Sequence, residues 1–442
     1  MPPKKLKLVL IGNGMAGVRT LEELLRIAPD RCEITVFGAE PHPNYNRILL
    51  SPVLAGEQTL DEIILNPLEW YAAHGIQLHL GARVTDVNRA RRRVRAETAD
   101  GQVIEAGYDR LLIATGSTPF IPPLPGRELE GVLSYRDIAD TEAMIEAART
   151  HRHAVVIGGG LLGLEAANGL MLRGMEVTVV HLAPWLLDRQ LDPHAAGLLQ
   201  QSLESRGLRF RVGTQTDALL PGEGDAASRV RAVRFKDGSE VPADLVVMAA
   251  GIRPNTALAQ SMGLLCAQDG RGGIAVSDTL QTVTDPRIYA VGECAAHRGV
   301  AYGLVAPLFE QGRVCATHLA EVGLGRYVGS EVSTKLKVTG IDLFSAGDFM
   351  GGKGSDEIVL KDPYGGVYKK LVLRDDRLVG ACLYGDTADS SWYFRLIRER
   401  CSVADLRDQL MFGEPAPAPE PTPAFDGIAT PAASERPAAA LA

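Results

Sequence analysis

The chain has 442 residues and a formal net charge of −8, from 46 Lys and Arg against 54 Asp and Glu. That length exceeds what one hydrophobic core organises and calls for two to three domains of roughly 100–200 residues each. The acidic balance argues against nucleic acid or an anionic membrane as the main partner, and no apolar run reaches the roughly 20 residues that span a bilayer.

The first residues, MPPKKLKLVLIGNG, place a short basic segment before a brief apolar one. The apolar part runs into a glycine motif that needs it as a strand, so the start reads as mature and the protein as cytoplasmic. KLKLVLIG is the first expected strand, a helix follows from about Ala16 to Ile27 and stops at Pro29, and CEITVF is the next strand. The order then repeats: HAVVIG, a helix from about Leu162 to Arg173, a stop at Gly174, and EVTVVH. Such alternation favours an α/β architecture with parallel sheets. Pro122, Pro123 and Pro125 mark one expected domain crossing, and GIRPN, from Gly251 to Asn255, marks another. From about Ser333 the pattern changes to short antiparallel strands: TKLKVTGIDLFSAGDF, EIVLKD and YKKLVLRDDRLVGACLYG. SSWYFRLIRERCSVADLRDQLMFG then reads as helical. The Pro/Ala-rich tail from about Glu414 cannot bury a core and reads as disordered.

Each α/β unit carries G-x-G-x-x-G directly after a strand: Gly12, Gly14 and Gly17 in the first, Gly158, Gly160 and Gly163 in the second. The first glycine of each set permits the tight turn, the second lets a pyrophosphate approach the backbone, and the third lets helix pack on strand. The helix openings, Met15 and Ala16 in one unit and Leu161 and Leu162 in the other, offer free N–H groups to the phosphates. A lone motif of this kind is weak, but here CEITVF and the acidic Glu40 follow it. Glu40 is placed to take a ribose hydroxyl, although Gly38 and Ala39 intervene. Two such sites in one chain suggest two dinucleotides bound together, a resident flavin and a diffusible nicotinamide that exchanges a hydride with it.

There are six cysteines, Cys32, Cys266, Cys294, Cys315, Cys382 and Cys401, and none lies close enough in sequence to form a C-x-x-C pair. No metal site, local iron–sulfur site or local redox disulfide is expected from them; reduced thiols are the simpler reading.

With these motifs in place, the chain resembles the two-dinucleotide, glutathione-reductase-type flavoprotein family. LLIATGSTPF, with Ala114, Thr115 and Gly116, resembles that family's A-T-G segment. IYAVGECAA, with Gly292 and Glu293, resembles its second flavin signature, with Glu where the family has Asp. The resemblance implies FAD in the first unit and NAD(P)H in a second unit inserted within it. The implied division is 1–123 with 255–325 for FAD, 124–254 for NAD(P)H, 326–413 for a small α+β interface domain, and 414–442 for the tail. Within the family, EPHPNYNRILLSPVLAGE, GECAAHRG, APLFEQGRVCATHLA and TKLKVTGIDLFSAGDF resemble the flavin-containing part of assimilatory NAD(P)H nitrite reductase large subunits. They also resemble the electron-transfer subunit of assimilatory nitrate reductases, over about residues 5–413. The cysteines of a [2Fe–2S] module and of a [4Fe–4S]–sirohaem centre are missing, so the expectation is a free-standing reductase or a fragment of a longer one. Disulfide reductases of the family carry C-x-x-x-x-C near the flavin, whereas NRILLSPVL, from Asn46 to Leu54, has no cysteine. Electrons are then expected to leave the flavin directly for a separate redox protein.

The resemblance also assigns single residues. Arg47 would approach the flavin pyrophosphate, against a surface salt bridge. Glu165 would orient the nicotinamide, as the one catalytic candidate, against a helix-surface carboxylate. Pro307 to Gln311 would open a helix whose dipole faces the flavin, against ordinary helix packing. Gly251 joins the cofactor contacts. His181 ends the second unit's strand where an acid would favour NADH and an arginine NADPH. It decides neither, a solvated strand-end histidine is an equal reading, and Arg189 lies some residues on; the resemblance tilts towards NADH. The acceptor reads as an iron–sulfur or sirohaem nitrite reductase, a nitrate reductase component, or a ferredoxin-like carrier. A ferredoxin or rubredoxin reductase for another chain, a redox sensor and a quinone or dye reductase are the alternatives, and homodimer formation stays open.

Overall fold

The computed structural model describes residues 5–224, 227–268, 272–331, 333–338 and 340–415. The tail expected beyond Glu414 lies, from residue 416 onward, outside the described residues.

Two five-stranded parallel sheets carry the two glycine motifs. The first runs Ile288–Ala290, Arg110–Ile113, Leu6–Ile11, Cys32–Phe37, Gln77–His79 across its width. The second runs Val132–Ser134, Leu245–Met248, His153–Ile157, Glu176–Val180, Arg209–Arg211. In both, the glycine strand stands between the strand that follows its helix and a strand ending in a small-residue turn, Ala114–Gly116 or Ala249–Gly251. The outermost strand of the first sheet, Ile288–Ala290, enters only after the second sheet is complete, so one unit interrupts the other. The central strands are covered on both faces, and Leu8, Leu10, Val155 and Val156 have no exposed surface. This burial explains why they read as unbroken apolar runs instead of an alternation.

The expected helices span Met15–Ile27 and Leu161–Leu172, each starting one residue earlier than the sequence suggests. Each unit also has a three-stranded antiparallel sheet not among the expected elements: Ala82–Asn88, Arg93–Thr98 and Val103–Gly107 in the first, Thr216–Pro221, Val230–Phe235 and Glu240–Pro242 in the second. The two crossings meet as an antiparallel pair, Ser117–Pro119 on Ile252–Pro254.

The C-terminal strands form one antiparallel sheet in the order Ser333–Val338, Ile341–Gly347, Arg377–Tyr384, Val367–Arg374, Asp356–Asp362. One face packs on the helix Ser390–Glu399, through Phe344, Leu371 and Leu383 against Tyr393. The other turns Leu343, Tyr368 and Cys382 towards the helix Pro193–Glu204 of the second unit. The helix expected over SSWYFRLIRERCSVADLRDQLMFG needs correcting, because it ends at Glu399. Arg400 takes φ +52°, and the Val403 N–H goes to the Asp376 carbonyl of the strand hairpin at 2.7 Å instead of to a helical partner. Two short 3-10 turns, Ala404–Leu406 and Leu410–Phe412, replace the rest.

One buried polar contact ties this sheet to the second unit. Tyr368 donates its hydroxyl to Asp192 Oδ2 at 2.6 Å, while Asp192 Oδ1 caps the helix by accepting the Ala195 N–H at 2.9 Å. Lys370 approaches the same carboxylate at 4.0 Å and pairs with Glu357 at 3.0 Å. Replacing Asp192 by Ala removes the cap and strands the tyrosine hydroxyl, so Asp192→Ala is expected to cost about 3 kcal/mol and Tyr368→Phe only about 1 kcal/mol. Urea denaturation of the two variants checks the order; equal small losses would refute the account.

Candidate active site

Each cradle is built by three glycines with separate physical reasons. Gly12 has φ +105°, and a Cβ on it would sit 2.2 Å from the Ala114 carbonyl oxygen. Gly158 has φ +130°, and a Cβ there would sit 2.2 Å from the Ala249 carbonyl oxygen. Only glycine accepts both conditions. At the third position, a Cβ on Gly17 would lie 2.9 Å from Ala114 Cβ, and one on Gly163 would lie 1.9 Å from the Gly158 oxygen. These contacts seat each helix directly on its turn. Around the middle glycines, Gly14 and Gly160, a Cβ would meet nothing within 4 Å. Both are helix N-caps, and neither helix has a side-chain cap bond or an acidic residue in its first turn. The openings at Met15–Ala16 and at Leu161–Leu162 therefore keep an uncapped positive helix end beneath open space, which fits a pyrophosphate in each cradle.

Around the first cradle the sequence candidates converge. A Cβ on Gly292 (φ +86°) would lie 3.0 Å from Ala16 Cβ, so the second flavin signature abuts the first helix. Thr115 and Gly116 are held by Asn255 of the second crossing: Asn255 Nδ2 donates to the Thr115 carbonyl at 2.7 Å and its N–H to the Gly116 carbonyl at 2.9 Å. Glu293 accepts from Ser117 Oγ at 2.7 Å and pairs with Arg136. Glu40 and Arg47 form an ion pair at 2.5 Å, Tyr45 donates to Glu40 at 2.7 Å, and Arg47 also donates to the Arg136 carbonyl at 2.6 Å. Arg136 thus links both groups, although nothing in the sequence around it marks it for this place. Pro307 lies in the first turn of the helix Val305–Leu319, which opens two residues before the expected start. Farther along that helix the fully buried Gln311 accepts the Gly292 N–H at 2.9 Å, and its Nε2 has no partner among the described residues.

The short helix Leu50–Ala55 joins the two cradles. It packs on Leu161–Leu172 where Gly169 leaves room; a Cβ there would sit 2.7 Å from Leu54 Cγ. Arg173 donates to the Val53 carbonyl at 3.1 Å and to that of Leu54, closing the C-terminal end of the short helix. At this junction Glu165 Oε2 accepts from Ser51 Oγ at 2.6 Å, and Tyr135 donates to the same Oγ at 3.2 Å. Glu165 is therefore an interface carboxylate rather than one on a free helix surface. Burial raises its pKa, against the lowering effect of the Ser51 hydrogen bond.

His181 lines the cleft with a side chain only 14% exposed, and both ring nitrogens face protein partners. Its Nδ1 accepts the Gly159 N–H at 3.1 Å, so Nε2 carries the proton and faces Asp188 Oδ1 at 3.2 Å. A cleft of about 1840 Å³ is lined by this histidine together with Gly158, Gly160, Gly251, Tyr135 and Ser345–Gly347 of the C-terminal sheet. Its volume exceeds the roughly 300–1,000 Å³ of ordinary ligand pockets and suits an extended dinucleotide.

The raised pKa of Glu165 has a measurable sign. Its charged form is penalised in the fold, so the penalty is absent below the unfolded carboxyl value of about 4.3 and grows as pH rises towards the elevated folded value. Glu165→Gln is expected to match the parent in thermal midpoint near pH 4 and to exceed it at pH 8. A difference that does not change with pH would refute this assignment.

Comparison with known proteins agrees with this geometry. The family model described as pyridine nucleotide-disulphide oxidoreductase matches residues 6–321, and the one described as rubredoxin NAD+ reductase C-terminal domain matches residues 333–401. The chain is 49% identical over 401 residues to a nitrite reductase [NAD(P)H] of Bacillus subtilis (strain 168), covering 91% of this chain and 48% of that protein. It is 44% identical over 408 residues to the assimilatory nitrate reductase electron transfer subunit of the same strain, covering 92% and 51%. The chain therefore spans about half the length of these curated relatives. Among solved structures, the covalent putidaredoxin reductase–putidaredoxin complex matches with a TM-score of 0.78 and 28% identity, over 89% of this chain and 93% of that one. The chain belongs to the pyridine nucleotide-disulphide oxidoreductase family and is an FAD-dependent NAD(P)H oxidoreductase.

Proposed function

We propose that this oxidoreductase passes the electrons of NAD(P)H to a separate nitrite or nitrate reductase component. The observation that carries the reading is the junction of Leu50–Ala55 with Leu161–Leu172, which couples two open cradles through Ser51 and Glu165. Bound FAD supplies the chemistry that joins a two-electron donor to one-electron acceptors. The residues of the first cradle hold it: Gly12, Gly14 and Gly17 seat the pyrophosphate, and Glu40, Arg47 and Glu293 form the polar frame with Arg136. Gly158, Gly160 and Gly163 seat the nicotinamide nucleotide in the cleft. Glu165 positions the nicotinamide end, because it stands where the two units meet. Hydride transfer requires alignment and exclusion of water more than a proton donor, and Tyr135 and the C-terminal sheet wall off that end of the cleft. The stretch Asn46–Leu54 holds no cysteine to take the electrons as a dithiol would, so they go outward to a partner.

The identity to nitrite and nitrate reductase chains supports that choice of partner. The match of residues 333–401 to the rubredoxin NAD+ reductase C-terminal domain favours a second reading, a rubredoxin- or ferredoxin-type acceptor.

Anaerobic titration of the purified protein is expected to bleach the flavin absorption at about one equivalent of nicotinamide nucleotide. The reduced protein should then reduce a purified nitrite or nitrate reductase component faster than it reduces rubredoxin. A flavin that neither NADH nor NADPH bleaches would sink the proposal; preference for rubredoxin would favour the second reading. Gly160→Ala should leave the fold and flavin content intact, since the added methyl has room, yet weaken nucleotide binding at least about ten-fold because the methyl occupies the path of the pyrophosphate.

A further inference from the structure

The strand Glu176–Val180 ends at His181, the place where a carboxylate ordinarily takes the adenosine ribose hydroxyls of NADH. Here the strand end supplies an imidazole, and that imidazole is committed inward. Its Nδ1 accepts the N–H of Gly159, the middle residue of the glycine turn, and a Cβ on Gly159 would lie 2.8 Å from His181 Cγ. The following loop folds back on the same turn. Leu187, fully buried with φ +51°, donates its N–H to the Gly159 carbonyl at 3.0 Å. That unusual backbone delivers the next residue, Asp188, to the imidazole, with Oδ1 at 3.2 Å from Nε2. The histidine side chain is 14% exposed and the aspartate 37%, so the carboxylate is the outward member of the pair. Asp188 Oδ2 has no protein partner among the described residues, and Asp188 lines the cleft. Arg189, beside it, also lines the cleft and is exposed, with no ion pair among the described residues.

We infer that Asp188, oriented by His181, is the residue that reads the adenosine ribose in this cleft and makes the chain prefer NADH to NADPH. The inference rests on the proposed reading that the cleft takes the nicotinamide nucleotide. Asp188 is fixed by the imidazole and by the anchored loop, so it cannot swing away from a 2′-phosphate, and like charges in that position repel. Arg189 could attract the same phosphate, but its side chain is long and untethered and pays entropy to be held. The fixed group therefore decides the preference. His181 is a positioning residue: neutral, with its tautomer set by Gly159, it aims one carboxylate oxygen and leaves the other free.

The test is the dissociation constant of NADH and of NADPH on the flavin-loaded full chain, its flavin first photoreduced so that no hydride can pass, read by titration calorimetry under anaerobic conditions. NADH is expected to bind at least about ten-fold more tightly than NADPH. Asp188→Ala should weaken NADH about ten-fold and abolish most of the preference. His181→Asn should reduce the preference in the parent but change nothing further once Asp188 is Ala, a coupling that a merely structural histidine would not show. Unchanged constants in Asp188→Ala, or tighter NADPH binding in the parent, would overturn the inference and leave the nucleotide reading standing. Failure of the parent to bind either nucleotide would overturn both.

Discussion

A carbonyl oxygen 2.2 Å from where a side chain would begin governs both halves of this molecule. The Ala114 and Ala249 carbonyls press on Gly12 and Gly158, so each glycine strand must turn at that residue with a positive φ. That turn puts the helix N-terminus over the end of the sheet, and the third glycine lets the helix descend onto it. The middle glycine is the exception, since nothing occupies the space beside it. Close packing at two positions and emptiness at the third together leave open space beside an uncapped helix N-terminus. A sequence that kept only the packing glycines would keep the turn and fill that space with a side chain.

The same economy of side chains brings the two sites together. Gly169 admits Leu54, so a short helix of the first unit lies flat on the helix that opens the second cradle. Arg173 then caps the short helix. Into this junction the chain places a carboxylate, Glu165, whose ionisation burial disfavours and Ser51 partly restores. A carboxylate left in such a place costs stability, and such costs concentrate at functional sites. Asp192 and Tyr368 fasten the C-terminal sheet, which lines part of the cleft, to the second unit.

Arg136 shows how a site can depend on a residue that carries no motif. Its carbonyl takes the Arg47 guanidinium and its own guanidinium takes Glu293, so a residue next to the second sheet's edge strand completes the frame of the first cradle. Glu40 and Arg47, read separately as a ribose ligand and a phosphate contact, are one ion pair within that frame.

The sequence by itself determined the two glycine turns, the strands before them and the antiparallel character of the C-terminal region. Those features rest on local chemistry: buried parallel strands must be apolar throughout, and tight turns must be glycine. The accessory sheet was only partly legible: RVRAET alternates as a half-buried strand does, but in RVTDVN the apolar Val84 and Val87 stand three apart because a bulge lies between Val84 and Asp86. The pattern over 390–413 suggests one helix, but the chain leaves it after Glu399 where the Val403 N–H bonds to a hairpin distant in sequence, and no local periodicity reports that. Tertiary structure alone decided the partners of the site residues. Ser51 meets Glu165 across 114 positions and Arg136 meets Glu293 across 157. Even His181 and Asp188, seven apart, meet only because a buried leucine holds a left-handed backbone between them. Propensity and pattern act over a few residues, whereas hydrogen-bond partners are chosen by how the units dock.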